Sequence, residues 1–238
     1  MHVGVVVPAR DEQAFLPRCL EALAVAVSHV DLPCELVLVL DACTDHSAEV
    51  AEEVGGRLDL PLTVLHSTAG SVGAARATGV GYLLDRHPAE ELWLATTDAD
   101  SAVCQQWLVR QLDHARTGAT LIAGTVTIDG WAGWSAALRV RYAERYARPR
   151  HPDGHGHVHG ANLSLSGELY RSLGGFAQLR ADEDVALVAA ARSAGVTVTW
   201  ATDLPVSTSA RARGRAPRGF ASALRHLEAS LVELVEPT

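Results

Sequence analysis

An apolar run that ends in two closely spaced carboxylates, residues 91–101, constrains the fold more than any other stretch. Residues 92–96 have the composition of a buried strand, and Asp98 and Asp100 follow shortly after it. In a strand, alternation would aim both carboxylates to one side at the carboxyl end, where open α/β sheets bind ligands. Two such carboxylates repel each other unless a hard cation such as Mg²⁺ or Mn²⁺ joins them to an anion, for which phosphate is expected. A lone Asp-x-Asp is more often a helix cap beside a solvated carboxylate, so the other residues must decide.

Composition predicts a globular protein, because 48% of the 238 residues are hydrophobic and 20% are charged. The net charge of −8 argues against nucleic acid as the main partner, since phosphate binding needs a basic face. No run approaches the roughly 20 apolar residues of a membrane span, and residues 3–7 are too short for a signal peptide. The cysteines have neither metal-ligand spacing nor a paired framework, so reduced thiols in a cytoplasmic protein are expected. They are Cys19, Cys34, Cys43 and Cys104.

The first half alternates short apolar runs with amphipathic segments. Strands are predicted at residues 3–7, 35–40, 62–65 and 92–96, and helices at residues 13–27, 46–54 and 71–84. Crossovers longer than about ten residues favour a parallel sheet with helices on both faces. The second half predicts strands at 120–128, 159–166 and 196–200, helices at 103–116, 131–147 and 182–194, a helical turn at 168–173 and a helix from residue 216. Without an internal repeat or a long linker, one continuous domain is expected.

Polar side chains follow three of the predicted strands. They are Arg10 and Glu12, then Asp41 and Asp45, then Asp98 and Asp100. A parallel sheet gathers its strand ends along one edge, so these residues should meet in one crevice. Asp45 alone could be a helix cap, whereas Asp41 could accept from ribose hydroxyls or a base N–H. Arg76 follows a helix start rich in small residues and could reach a phosphate.

Two common nucleotide-binding patterns are missing from the sequence. No Gly-x-Gly-x-x-Gly follows the first strand, which argues against a nicotinamide dinucleotide. No Gly-x-x-x-x-Gly-Lys-Ser/Thr occurs either, which argues against a phosphate-loop ATPase. A nucleotide would therefore have to be held in another way.

Four ordered motifs resemble those of the family-two glycosyltransferases of the GT-A fold. Residues 5–12 are similar to that family's opening strand and Pro-x-x-Asn-Glu turn, with Arg-Asp in place of the usual Tyr-Asn. Residues 40–47 resemble its Asp-x-(Gly/Cys)-(Ser/Thr)-x-Asp segment, and residues 73–79 its Gly-x-x-x-Ala-Arg-Asn-x-Gly helix. Residues 97–100 match its Asp-x-Asp motif.

The resemblance covers about residues 3–200 and implies an α/β fold of the GT-A type, a Rossmann-like, mostly parallel sheet flanked by helices. It implies one domain, 1–238, with a nucleotide-sugar-binding half (1–101) and a smaller acceptor-binding half (102–238) that ends in an arginine-rich helix. The implied activity is a metal-dependent, inverting transfer of a sugar from a UDP- or GDP-linked donor to a hydroxyl of a small-molecule, lipid or glycan acceptor. The absence of Gln-x-x-Arg-Trp favours non-processive transfer. A homodimer is a further expectation.

The match also implies roles for individual residues. Asp184 is expected to be the general base, because inverting transfer needs a carboxylate within reach of the acceptor hydroxyl. Asp98 and Asp100 are expected to hold Mn²⁺ or Mg²⁺. The expected donor-binding residues are Pro8, Ala9, Arg10, Glu12, Asp41, Arg76, Asp98, Ala99 and Asp100. The expected acceptor-binding residues are His159, Gly160, Asn162 and Glu183.

Several alternatives stay open. His155, His157 and His159 alternate and could bind a metal, although a flexible acceptor lid over residues 149–160 is favoured. Many metal-dependent relatives carry a His ligand where residues 207–209 read Ser-Thr-Ser here. A retaining transferase for an anionic acceptor such as a phosphoglycerate and a non-catalytic scaffold are rival functions. An arginine cluster could be a solvated helix or a flap that neutralises the leaving diphosphate. Its members are Arg211, Arg213, Arg215, Arg218 and Arg225.

Overall fold

A computed structural model describes residues 1–212, 214 and 220–233, which form an eight-stranded sheet in the order β3-β2-β1-β4-β7-β6-β8-β5. The strands are β1 (His2–Ala9), β2 (Cys34–Asp41), β3 (Leu62–Ser67), β4 (Leu92–Thr96), β5 (Ser101–Val103), β6 (Leu121–Asp129), β7 (Leu163–Ser166) and β8 (Thr199–Ser209). The helices are α1 (Leu16–Ser28), α2 (Ser47–Arg57), α3 (Val72–Arg86), α4 (Trp107–Arg116), α5 (Ala136–Ala147), α6 (Gly167–Ser172), α7 (Glu183–Ser193) and α8 (Phe220–Glu233).

The first four strands pair in parallel, and helices cover both faces of this part of the sheet. In β1, Val5 and Val7 pack in a core with α1, α2 and α4, whereas Val6 packs in a second core with α3, α6 and α7. Because both faces are buried, the strand is apolar at nearly every position. Gly79 lets α3 approach the sheet closely, since a Cβ there would lie 2.5 Å from Val6 Cγ1.

The second half adds the antiparallel connections. Strand β7 runs antiparallel to β4 and β6, β5 runs antiparallel to β8, and β6 and β8 are parallel with an irregularity between Gly124 and Val126. The predicted α/β class with a mostly parallel sheet is therefore confirmed.

All four cysteines are free. Among the residues that the structure describes, no helix combines the length and apolar character that crossing a bilayer requires.

Several predicted elements differ in extent. The helix predicted from residue 103 begins at Trp107, after β5, and the strand predicted at 196–200 is the longer β8. The helix predicted from residue 131 begins only at Ala136, because Gly133 has a φ of 85° and the Ser135 side chain caps the helix by accepting from Leu138 N. The strand predicted at 159–166 is confined to β7, and Gly160–Asn162 forms a short 3₁₀ turn before it. The helix predicted from residue 216 begins at Phe220 in the described part, and residues 215–219 lie outside it.

Candidate active site

A cavity of about 370 Å³ opens where β1, β2 and β4 end at their carboxyl edge. It contains every predicted site residue except Asn162. Among the described residues that line it, seven carry carboxylates and four are arginines. The acidic ones are Glu12, Asp41, Asp98, Asp100, Asp182, Glu183 and Asp184, and the basic ones are Arg10, Arg76, Arg180 and Arg211. This excess of negative charge means that an anionic ligand would enter together with a cation.

Asp41 organises the loop that leads into α3. Its carboxylate accepts hydrogen bonds from Gly70 N at 3.0 Å, from Ser71 N at 2.8 Å and from the Ser67 hydroxyl at 2.9 Å. The next residue, Ala42, has a φ of 52°, a left-handed conformation that is unusual for a residue with a Cβ. Asp41 thus lies at the cavity as predicted, with its oxygens already holding this loop.

Arg76 joins the two halves of the cavity. It is 2% exposed, and its guanidinium donates to Asp98 Oδ1 from one nitrogen and to Glu183 Oε1 from the other. Its Nε has no hydrogen-bond partner among the described residues. A side chain at position 160 would exclude this arrangement, because a Cβ on Gly160 would stand 2.5 Å from Arg76 Cζ. The predicted phosphate-binding cation is therefore engaged by two carboxylates in this structure.

Asp184 lies in the first turn of α7, after Asp182 in a left-handed conformation with a φ of 65°. Its carboxylate accepts from the backbone N–H of Gly160, and its other oxygen accepts from Val185 N at 2.8 Å. Burial raises the pKa of Asp184, while the charge of Arg76 opposes that shift. A desolvated carboxylate of this kind is more basic than one in water, which suits proton abstraction.

Asp100 is paired with a residue from beyond β8. Arg211 Nη2 lies 3.0 Å from Asp100 Oδ2, and Arg211 Nη1 lies 2.7 Å from Glu12 Oε2. Burial raises the pKa of Asp100 to about 6, Arg211 opposes the rise, and the charge of Asp98 adds to it. When Asp98 and Asp100 are both ionised, Arg211 therefore does not fully offset their negative charge.

The Asp98 and Asp100 carboxylates fit a divalent cation such as Mn²⁺ or Mg²⁺. They offer hard oxygen ligands in one cavity, and their charge is not fully balanced by the arginines. In the stretch where the resemblance leads us to expect a His ligand, Thr208 and Ser209 line the cavity, and the Thr208 hydroxyl accepts from Ser101 Oγ at 3.0 Å. Hydroxyl side chains therefore occupy this part of the cavity lining.

The three alternating histidines share a face, as predicted, but they form a stack. The rings of His155 and His157 are 5.6 Å apart and those of His157 and His159 are 6.0 Å apart, with interplanar angles of 18° and 13°. His155 and His157 each direct a ring nitrogen to a backbone carbonyl, at 3.1 Å and 2.8 Å, and burial lowers the pKa of His159 to about 3. Near-parallel rings with engaged nitrogens do not converge on one point, so this stack does not favour the metal-site alternative.

Asn162 corrects one prediction. It is 1% exposed and lies outside the cavity lining. Its amide donates to Thr125 O and Leu204 O, both at 2.8 Å, and its Oδ1 accepts from Trp107 Nε1 at 2.9 Å. Because the 3₁₀ turn aims the side chain into the fold, Asn162 joins β6, β8 and α4 and is not available to an acceptor.

Sequence reasoning missed Arg180 and Asp182, which line the cavity just before the predicted Glu-Asp pair. Their adjacency to that pair was the only signal. Of the arginine cluster, Arg211 lines the cavity, while Arg225 is exposed and donates to Ala212 O. Arg213, Arg215 and Arg218 lie outside the described residues.

The sequence profile of glycosyl transferase family 2 matches residues 4–170. The chain belongs to this family. No curated protein matches the sequence. Among solved structures, this family-2 chain resembles TarS 1–349 of S. aureus in complex with UDP-GlcNAc, with a TM-score of 0.68, 15% identity and coverage of 100% of this chain and 68% of that one. In a second structure of S. aureus TarS 1–349, the match spans 61% of the length of that chain.

Two further structures share the fold. The mannosyltransferase PcManGT of Pyrobaculum calidifontis, in complex with GDP-Man and Mn²⁺, has a TM-score of 0.62 and 20% identity over 99% of this chain and 65% of that one. Glucosyl-3-phosphoglycerate synthase of Mycobacterium tuberculosis, in complex with Mn²⁺, UDP and phosphoglyceric acid, has a TM-score of 0.56 and 18% identity, covering 99% and 79%. The predicted family and GT-A fold are confirmed.

Proposed function

We propose that the chain is a metal-dependent, inverting, non-processive glycosyltransferase that moves a sugar from a nucleoside-diphosphate donor to an acceptor hydroxyl. The observation that carries the proposal is that Asp98, Asp100 and Asp184 line one cavity, in which Arg76 pairs with Asp98 and with Glu183, the neighbour of Asp184. Structures of the same fold contain UDP-GlcNAc, GDP-Man with Mn²⁺, or UDP with Mn²⁺, which supports a nucleotide donor and a divalent metal.

The residues divide into a donor end and an acceptor end. Arg10 and Asp41 bind the nucleotide beside the loop at Gly70, and Asp98 and Asp100 are the residues that would hold a divalent metal. A bound divalent cation would supply Lewis-acid stabilisation of the departing diphosphate. Glu183 and His159 contact the acceptor.

Asp184 takes the proton from the acceptor hydroxyl as the new glycosidic bond forms. Its desolvation raises its proton affinity toward the range in which a general base works well, and the Gly160 N–H fixes one of its oxygens. Arg76 bonds to both Glu183 and Asp98. Because Glu183 is the neighbour of Asp184 on α7, this pairing fixes the position of the base relative to the metal ligands. Cytoplasmic location and a homodimer remain predictions.

The test is release of nucleoside diphosphate from a panel of UDP- and GDP-sugars, with and without Mn²⁺. Asp184→Asn should lower turnover by roughly 10²–10⁴-fold, a typical contribution of a general base, while binding of UDP or GDP by calorimetry stays unchanged. Failure of any nucleoside diphosphate to bind in a metal-dependent way would refute the proposal.

Retaining transfer to an anionic acceptor is the second candidate. Arg180 lines the cavity near Asp184 and forms no ion pair with any described residue, so it is placed to receive a carboxylate or phosphate. The anomeric configuration of the product, read by NMR, distinguishes the two reactions.

A further inference from the structure

Helix α5 and the residues just after it carry a strong local excess of positive charge. Five arginines and one glutamate, Glu144, lie within residues 139–150 of a chain whose net charge is −8. All five arginines are exposed. Three of them, Arg141, Arg145 and Arg148, are spaced i, i+4 and i+7 and so lie along one side of the helix and its carboxyl end; we call these three the α5 basic face.

The inner side of α5 already accounts for its packing. Leu138 is fully buried, Tyr142 contacts the Phe220 ring edge-on at 5.9 Å, and Tyr146 stacks on His157 at 4.0 Å. On the outer side, Arg141 and Glu144 form an exposed ion pair at 3.6 Å, and the other four arginines have no ion-pair partner among the described residues. The basic face therefore contributes little to the fold, since exposed charges of this kind add little stability.

We propose that the α5 basic face binds the surface of an anionic phospholipid bilayer. Arginines on an exposed helix are attracted to anionic headgroups, and their apolar stems lie in the interface. Val140 is 59% exposed, and Ala143 and Ala147 are also exposed; at spacing i, i+3 and i+7 these three share the side of the helix next to the basic face and provide shallow apolar contact beside the charges.

Other occupants fit the same surface less well. A second copy docked through this face about a two-fold axis would bring its arginines against those of its partner, which is repulsive. A single-stranded nucleic acid would need aromatic rings to stack its bases, whereas Tyr142 and Tyr146 are turned inward. A bilayer needs only the charge and the small apolar contacts that are present.

Helix α5 packs behind part of the cavity lining. The Tyr146 hydroxyl accepts from Val126 N at 2.8 Å and lies 3.3 Å from His159 Nε2, and Val126 and His159 both line the cavity. If the proposed transfer holds, a bilayer on α5 would hold membrane-borne acceptors on this side of the protein. Bilayer binding itself does not depend on that activity.

The experiment is vesicle flotation with untagged protein, using phosphatidylcholine alone and phosphatidylcholine mixed with phosphatidylglycerol. Binding to the anionic vesicles, weakened by salt, is expected. Arg141→Glu, Arg145→Glu and Arg148→Glu together should lower the partition coefficient by about 100-fold or more, because each arginine near an anionic surface adds about fivefold. The matched control reverses three exposed arginines elsewhere, Arg57, Arg116 and Arg171, and should bind nearly as wild type does.

Equal losses in both triple variants would overturn the proposal, because they would report net charge alone. Equal binding to neutral vesicles, or no vesicle binding while an oligonucleotide or heparin is retained, would also overturn it. Binding of UDP or GDP to the α5 variant, measured in the absence of vesicles, should be unchanged and shows that the variant is folded. If nucleotide binding is absent from wild type while the flotation result holds, only the proposed transfer fails.

Discussion

Arg211 places a positive charge on the second carboxylate of the Asp-x-Asp motif, with its Nη2 3.0 Å from Asp100 Oδ2. The same guanidinium reaches Glu12 and lies 5.5 Å from the centre of the Phe15 ring, so three residues hold it at the Asp100 side of the cavity. A divalent cation bound to Asp98 and Asp100 would therefore meet a resident cation. Arg211 would then have to share Asp100 with the metal or leave that carboxylate.

Removal of this resident charge should strengthen metal binding. In Arg211→Ala, Asp100 and Glu12 lose a cation within hydrogen-bond distance, and such a neighbour changes the ionisation of a carboxylate by about one to three pKa units. We expect roughly tenfold tighter Mn²⁺ binding in the absence of nucleotide, measured by calorimetry at neutral pH. Arg57→Ala, which removes an exposed pair with Glu21, is the control and should leave Mn²⁺ affinity unchanged. Weaker Mn²⁺ binding in Arg211→Ala would contradict the competition.

Asp100 should make the folded protein less stable as pH rises. Burial raises its pKa to about 6, whereas an unfolded chain has an ordinary aspartate pKa near 4. Between these values the folded state holds a proton that the unfolded state has released, so the free energy of unfolding falls as pH rises through this window.

Asp100→Asn removes that dependence. We expect it to raise the free energy of unfolding by about 2 kcal/mol at about pH 8 and to have little effect at about pH 4, in urea titrations without divalent metal. Asp85→Asn, at an exposed position on α3, is the matched control and should show no such difference. A variant that is destabilised equally at both pH values would rule out this account of Asp100.

That the site residues meet in one cavity could be predicted from sequence, because a parallel sheet brings the ends of its strands to one edge. Asp41 ends β2 and Asp98 follows β4, and both strands pair with β1 in parallel, so their positions at one edge follow from the strand pattern alone. Asp184 came from resemblance to the family, and its place in the same cavity depends on how α7 packs against α3.

The partners of each side chain could not be predicted in this way. Arg76 is 22 residues from Asp98 and 107 from Glu183 in sequence, and its double pairing depends on the space left by Gly160. Hydrophobic periodicity carries no information on such contacts. The acceptor role expected for Asn162 came from the family resemblance, and periodicity could not correct it because it does not resolve a three-residue 3₁₀ turn.

Asn162→Ala should therefore act on stability. It leaves the buried Trp107 N–H and the carbonyls of Thr125 and Leu204 without their partner. The expected loss in the free energy of unfolding is about 3 kcal/mol, since each unsatisfied buried group costs about 1–3 kcal/mol. Urea unfolding measures it. If the variant is as stable as wild type and its KM for the acceptor is raised, Asn162 binds the acceptor and this prediction is wrong.

Gly160→Ala should disable the site while leaving the fold largely intact. The added Cβ would overlap the Arg76 guanidinium, which is held between Asp98 and Glu183 and is 2% exposed. The flexible arginine is the group that must yield, so both ion pairs are expected to break.

We expect kcat/KM for sugar transfer to fall by about 10²-fold, because small displacements of positioned groups have effects of this size. The matched control is Gly81→Ala, on the same helix as Arg76, where an added Cβ meets nothing within 4 Å. Alanine there should stabilise the helix by about 0.5–1 kcal/mol and leave activity unchanged. Since Asp184 also accepts from Gly160 N, the double variant Gly160→Ala with Arg76→Ala separates the two effects. If loss of Arg76 accounts for the defect, the double variant will be no less active than Arg76→Ala alone.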